Sequence, residues 1–212
     1  MKPFGVLALL LTTATAFAEG QTLTSSPKKA AKPDAVVREL YREVVALHPI
    51  GLPWGRNKDA FRPLLSKDLA GRFDTAWACE SDYYRTHKDP SLKPEIEWLE
   101  FGVFSGGNEE ASPATAAVER VEREGDGSFR AYVRLTYKDT YATYSDHHID
   151  PRNSFNWRVA VIVIPERSRF LVNDVLFFKD EPKDTKEVDF TLSHLLTMGC
   201  DGAWWVGYKD AS

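Results

Sequence analysis

Asp174 is the residue whose type and setting most suggest chemistry. It sits in the row Phe170, Val172, Asp174, Leu176, Phe178 of an alternating stretch. A carboxylate in an apolar row is costly unless it is paired or hydrogen-bonded. Two readings stand side by side. A desolvated acid has a raised pKa and can transfer protons, with Tyr132 or Tyr84 as a donor to substrate. Alternatively the acid is structural, at a strand bulge or held by a donor such as Arg158 or Tyr132. Trp157 beside Arg158, and Glu80 one turn before Tyr84 on a predicted helix, complete the candidate pocket. No second acid or histidine falls in register with Asp174, which favours the structural role. For Glu80, Tyr83 and Tyr84 the plainer expectation is a solvated edge and two amphipathic core aromatics.

The polar, aromatic stretch from Asp139 to Asn153, DTYATYSDHHIDPRN, is a second candidate. Its length and its residues Tyr141, Tyr144, Asp146, His147 and His148 suit a partner-contact loop. Asp146, His147, His148 and Asp150 are of metal-ligand types. Adjacent histidines on an extended chain point apart, however, so no metal site is expected. Ser105-Gly106-Gly107-Asn108 reads as a turn and not a phosphate loop, since no G-x-x-x-x-G-K-[ST] follows. No cofactor is expected.

The elements that must position these residues centre on Ser154 to Phe178, SFNWRVAVIVIPERSRFLVNDVLFF, two strands joined at Pro165 to Ser168. Trp157, Val159, Val161 and Val163 share one face. Arg158, Ala160, Ile162 and Ile164 share the other, and both are apolar enough to be covered. Upstream, Ala114 to Glu124 and Phe129 to Lys138 read as a hairpin through Gly125-Asp126-Gly127-Ser128. Glu95 to Phe104 is strand-like, with a slip near Phe101-Gly102 that suggests a bulge. A first helix starts at Pro33-Asp34 with Asp34 as N-cap and carries the stripe Val36, Val37, Leu40, Tyr41, Val44, Val45 and Leu47. The connector after His48-Pro49 is expected to pack Trp54 inward. A short helix over Asn57 to Leu65 is shaped by Pro63. Ser66 caps a third, running to about His87. A last helix is expected over Thr185 to Met198, ending at Gly199.

The chain has 212 residues and a formal net charge of −4. A mildly acidic chain without a basic stripe does not suit nucleic acid. Residues 1–18 read as a signal peptide: a basic start at Lys2, a short apolar run, and Ala16-Phe17-Ala18 at the cut. That run is too short to span a bilayer, and no other segment suits a membrane helix. Removing residues 1–18 takes away only Lys2 among charged residues and moves the charge to −5. Residues 19–32 are polar and small and read as a flexible leader; 33–212 read as a single α+β domain. Export to the periplasm or beyond favours bonding the two cysteines, Cys79 and Cys200.

Helices first, then a curved antiparallel sheet, is the order of the cone-shaped nuclear-transport-factor-like fold, also called cystatin-like. The Ala78-Cys79-Glu80 helix with Tyr83-Tyr84, the strand Leu99 to Gly106, the strand Val172 to Leu176, and Gly199-Cys200 carry the likeness. The chain resembles the exported bacterial branch of that superfamily. The resemblance implies N-terminal helices packed on a cone-like sheet, with a C-terminal helix and tail. Enzymes of the fold, such as ketosteroid isomerase and scytalone dehydratase, carry acids or histidines in the cone, and neither set transfers onto this sequence. Other members are binding or dimerisation modules, some of them immunity proteins against secreted toxins. Fold alone does not choose among these. The expectation is a non-catalytic periplasmic binding module, of which an immunity-type inhibitor is one form, for a protein or small molecule, with a homodimer allowed. The alternative is an isomerase- or dehydratase-like enzyme using an acid in the cone.

The exported protein is expected to weigh two hydrogens less than its reduced form, through a Cys79–Cys200 disulfide. Intact-mass measurement with and without reductant checks this. Two alkylatable thiols in the oxidised preparation would refute it.

Overall fold

In a computed structural model, residues 32–86, 96, 98–107, 112–139, 152–179 and 187–198 are described. Residues 1–31, which hold the expected signal peptide and all but Lys32 of the expected leader, lie outside them. So do the candidate partner-loop residues Tyr141, Tyr144, Asp146, His147 and His148, and also Asp150 and Cys200.

Alternation of β-branched and polar residues builds five strands: β1 (Thr115–Arg123), β2 (Phe129–Lys138), β3 (Ser154–Glu166), β4 (Arg169–Phe178) and β5 (Val188–Thr191). They form one curved antiparallel sheet in the order β1-β2-β3-β4-β5. The helices α1 (Pro33–Leu47), α2 (Arg56–Phe61) and α3 (Lys67–Thr86) precede the sheet, and the short α4 (Leu192–Leu195) follows it. The α+β class expected from the sequence is therefore the class observed. Pro33 takes the first helical position of α1, where its missing N–H costs nothing. The cap position falls to Lys32, so the helix starts two residues earlier than an Asp34 cap would place it. Of its stripe, Val37, Leu40, Tyr41 and Val44 are buried, while Val36, Val45 and Leu47 are half-buried. With Leu69, Phe73 and Ala76 of α3 it meets Val133, Leu135, Val159, Val161, Val163 and Val175 in the core.

The β3–β4 hairpin closes through Arg167-Ser168, with Arg167 at φ 59°. Its register then shifts. Ile162 pairs with Asp174, but Val163 pairs with Val172, so Asn173 is an extra residue on β4. This bulge breaks the simple alternation expected along β4. Val172 joins Val175 and Phe177 in the main core, while Leu176 joins Tyr132 and Ala160 in a small cluster on the other face.

The bulge also receives two helix starts. Ser66 caps α3 as expected, accepting the Leu69 N–H at 3.1 Å, and donates its hydroxyl to Asn173 Oδ1 at 2.8 Å. The Ser66 N–H donates to the Val172 carbonyl at 2.7 Å. Asp174 accepts the Val175 N–H at 2.9 Å, the Ser193 N–H at 2.9 Å and the Ser193 hydroxyl at 2.6 Å. Its donors are on α4 and its own strand, and not Arg158 or Tyr132.

Three local expectations are corrected. Residues 188–191 form β5 and not the start of the last helix, because they complete the sheet edge against Leu176 to Phe178. Residues 98–107 are turns rather than a strand, although Trp98, Val103 and Phe104 are buried. Trp54 is 51% exposed, since its indole sits at the surface of the connector.

Asp174→Asn keeps the shape but cannot accept from the Ser193 hydroxyl in the same geometry. It is expected to lose about 1–3 kcal/mol, the scale of an unsatisfied buried polar group. Urea unfolding of Asp174→Asn, Ser193→Ala and the double variant should give less-than-additive losses, because all three remove one network. A stabilised Asp174→Asn would overturn this account.

Candidate functional site

Unequal strand lengths open the candidate site. β3 pairs with β2 from Ser154 to Val163, but β4 meets β3 only from Val159 onward. Beside the start of β3 lies a cleft of about 300 Å³, lined by Ser105, Gly106, Phe155, Trp157, Val159 and Phe177, among others. Phe155 is 46% exposed. Its ring stacks on Tyr137, centroids 5.0 Å apart, and lies 5.6 Å from Trp157.

The opposite wall is the tight loop 102–107. The Gly102 N–H donates to the Gly107 carbonyl at 2.6 Å, and the Gly106 N–H to the Gly102 carbonyl at 2.7 Å. Tyr41 donates its hydroxyl to the Phe104 carbonyl at 2.9 Å, and burial pushes that phenol's pKa up. The Trp157 indole N–H donates to the Ser105 carbonyl at 2.6 Å. Gly106 has φ +76°, and a Cβ there would lie 2.7 Å from the Phe177 ring. Glycine is what lets the loop approach β4 so closely. Among the lining residues Arg158 alone is ionisable, and its guanidinium is bonded to Glu119 at 2.8 Å. This arrangement can hold an apolar or aromatic group by burial and stacking. It supplies no acid–base pair.

The predicted pocket residues are distributed over four places. Trp157 lines the cleft, and Arg158 lies at its edge. Tyr132 is on the other face of the sheet, its ring under the Arg120 guanidinium at 3.4 Å and stacked with Phe178. Asp174 is engaged by Ser193. Glu80 and Tyr84 lie on α3, where Tyr84 is 49% exposed and meets Tyr83 edge-on at 5.6 Å. Cys79 is buried on the same helix and is disulfide-bonded. No group of metal-ligating side chains gathers among the described residues, and none of their helices is long and apolar enough to cross a membrane.

Glu80 departs most from expectation. It is only 7% exposed, not at a solvated edge. The Trp98 indole N–H donates to its Oε2 at 3.2 Å, and the Trp54 indole lies beside it. Burial raises its pKa above the ordinary glutamate value; the Trp98 bond and the neighbouring Trp54 indole pull it partly back, and no charged neighbour contributes. Spacing on α3 placed Glu80 one turn from Trp77 and Tyr84, but the two tryptophans that cover it come from the connector and from residue 98. Phe155 and Tyr137 were missed as site residues. Their signal was the aromatic pair at the end of β2 and the start of β3, where the sheet has lost its β4 neighbour.

No protein-family model matches the chain, and no curated protein matches it.

The folded chain holds the Glu80 proton to higher pH than the unfolded chain. The stability this gives is full below the ordinary glutamate range, near pH 4, and is lost as pH rises through the raised folded value. Glu80→Gln removes the titration. The stability of the unmodified protein relative to this variant is therefore expected to fall between about pH 4 and pH 8, read as urea midpoints across that range. A difference that moves toward the unmodified protein with rising pH would overturn the assignment.

Proposed function

We propose that this chain is a non-catalytic binding module of the cell envelope, exported by its first 18 residues, which docks a partner protein at the aromatic cleft. An immunity-type inhibitor is the form of such a module that the cone-fold resemblance suggests. The observation that carries the reading is the state of Asp174. Its carboxylate accepts three hydrogen bonds from Val175 and Ser193, and so serves the fold. The cleft itself offers rings and backbone carbonyls, the materials of recognition rather than of proton transfer.

One observation favours a second reading. Glu80 is a buried carboxyl with a raised pKa, the property of a general acid. An isomerase- or dehydratase-like enzyme in this chain would work through Glu80 rather than Asp174.

The two readings separate in one experiment. Mature protein is cross-linked in periplasmic extract, and the captured partner is purified and rebound. Phe155→Ala is expected to weaken rebinding by about tenfold or more, the effect of losing an exposed aromatic anchor. Unchanged rebinding would move the interface away from the cleft. Turnover of a small-molecule panel that disappears in Glu80→Gln, with no partner recovered, would put the enzyme first.

A further inference from the structure

The start of β3 is a strand with one open side. β2 covers its other side down to the pair Lys138–Ser154, whereas β4 reaches no further than Val159. The Asp139 N–H donates to the Asn153 carbonyl at 3.1 Å, which sets the parity of the ladder. Hydrogen-bonding direction alternates along an antiparallel strand. Odd-numbered residues here therefore aim their backbone groups at β2, and Ser154 and Asn156 aim theirs the other way. Among the described residues no strand lies on that side. The side chains alternate too: Phe155 and Trp157 stand over the cleft, and the Asn156 carboxamide oxygen accepts from the Thr136 hydroxyl at 2.6 Å.

We propose that this edge is an addition site for an extended peptide of a partner protein. The peptide pairs with Ser154 and Asn156 beyond the last β3–β4 pair, and it places one aromatic or branched apolar side chain in the cleft against Phe155, Trp157 and Gly106. Backbone pairing supplies affinity, and the cleft supplies selectivity. The size of the site fits this occupant. A cleft of about 300 Å³ is at the lower limit for a small-molecule pocket and suits a single side chain. An edge of about four residues is roughly 13 Å long, and with one buried ring it covers far less than the roughly 1,600 Å² typical of a stable protein–protein interface. It therefore suits a peptide better than a second copy of this chain. The proposal rests on the binding-module reading and specifies how the partner is held.

The test uses the mature protein and a displayed library of random linear dodecapeptides. In the free protein, the amides of Ser154 and Asn156 are expected to exchange with solvent quickly and those of Phe155 and Trp157 slowly. Selected peptides are expected to alternate apolar and polar residues and to slow exchange at Asn156. Asn156→Pro removes an N–H that faces away from β2, so it spares the ladder. It is expected to weaken binding at least about tenfold, as is N-methylation of alternate peptide residues, since each loses about one net backbone hydrogen bond or more. The methylated peptides give the answer even if the proline variant does not fold. An Asn156 amide already protected in the free monomer, a dimer that protects it, no enriched peptide, or peptides indifferent to both changes would each overturn the proposal. A purified partner that binds Asn156→Pro as well as the unmodified protein would overturn the edge while leaving the binding-module reading intact.

Discussion

The fold depends on one extra residue. Asn173 is the bulge of β4, and the two side chains at that point each hold a helix start. Asn173 takes the hydroxyl of Ser66, the cap of α3, while Asp174 takes the backbone and hydroxyl of Ser193 at the start of α4. A regular strand could not do both, because consecutive side chains would continue the strict alternation of β4. The bulge turns Val172 onto the same face as Val175 and Phe177 and keeps the core row continuous. Ser66 is fully buried, so its hydroxyl needs both the Leu69 N–H and Asn173 as partners. The acid that the sequence sets in an apolar row fastens α4 to the sheet, beside the Asn173 that fastens α3.

The same economy shapes the cleft. At the last β3–β4 pair, Val159–Phe177, the core would lie open, and loop 102–107 closes it. That loop presents its carbonyls inward, and the fold answers them with long polar aromatics: Tyr41 for Phe104, Trp157 for Ser105. Both donors carry a large apolar body with one hydrogen-bonding tip, which lets them satisfy a buried carbonyl and fill volume together. Gly106 then fits against Phe177 where any side chain would collide. The result is a rigid wall opposite a partly exposed aromatic row, so a ligand meets a surface already ordered before it arrives.

Strands β1 to β4 were legible because periodicity states them directly: β2 was read with its observed bounds, and β3 alternates as its sequence does. The α3 cap was legible from Ser66 alone. Less was legible wherever a distant partner decided the outcome. Val188, Leu192, Leu195 and Leu196 have a helix-like apolar spacing, but pairing of residues 188–191 with β4 outweighs it. Trp98 and Phe104 belong to turns whose shape is set by Gly51, Tyr41 and Gly107, contacts that no local pattern announces. Glu80 reads as a surface acid by type, and only the arrival of Trp54 and Trp98 buries it. Of the candidate site, Trp157 and Arg158 were read and Phe155 was not. The openness of an edge depends on how far the neighbouring strand extends, and β4's end carries no local mark of where it leaves β3.

The other face of the sheet shows why recognition is better placed in the cleft. Arg134 and Arg158 stand directly opposite each other on β2 and β3, an unfavourable pair across strands. β1 answers with its own bulge. Its register shifts between Val118 and Arg120, and Glu119 in that gap reaches both guanidiniums, Arg158 at 2.8 Å and Arg134 at 3.3 Å. The Arg158 bond, and then the fields of Arg158, Arg134 and Arg120, hold the Glu119 pKa below the ordinary glutamate range. Arg120 turns instead onto the Tyr132 ring. These charges satisfy one another within the chain, and a partner docking there would have to exchange made ion pairs for new ones. At the start of β3 there is no such exchange. The groups on its open side face water, and the rings beside them lose little by being covered.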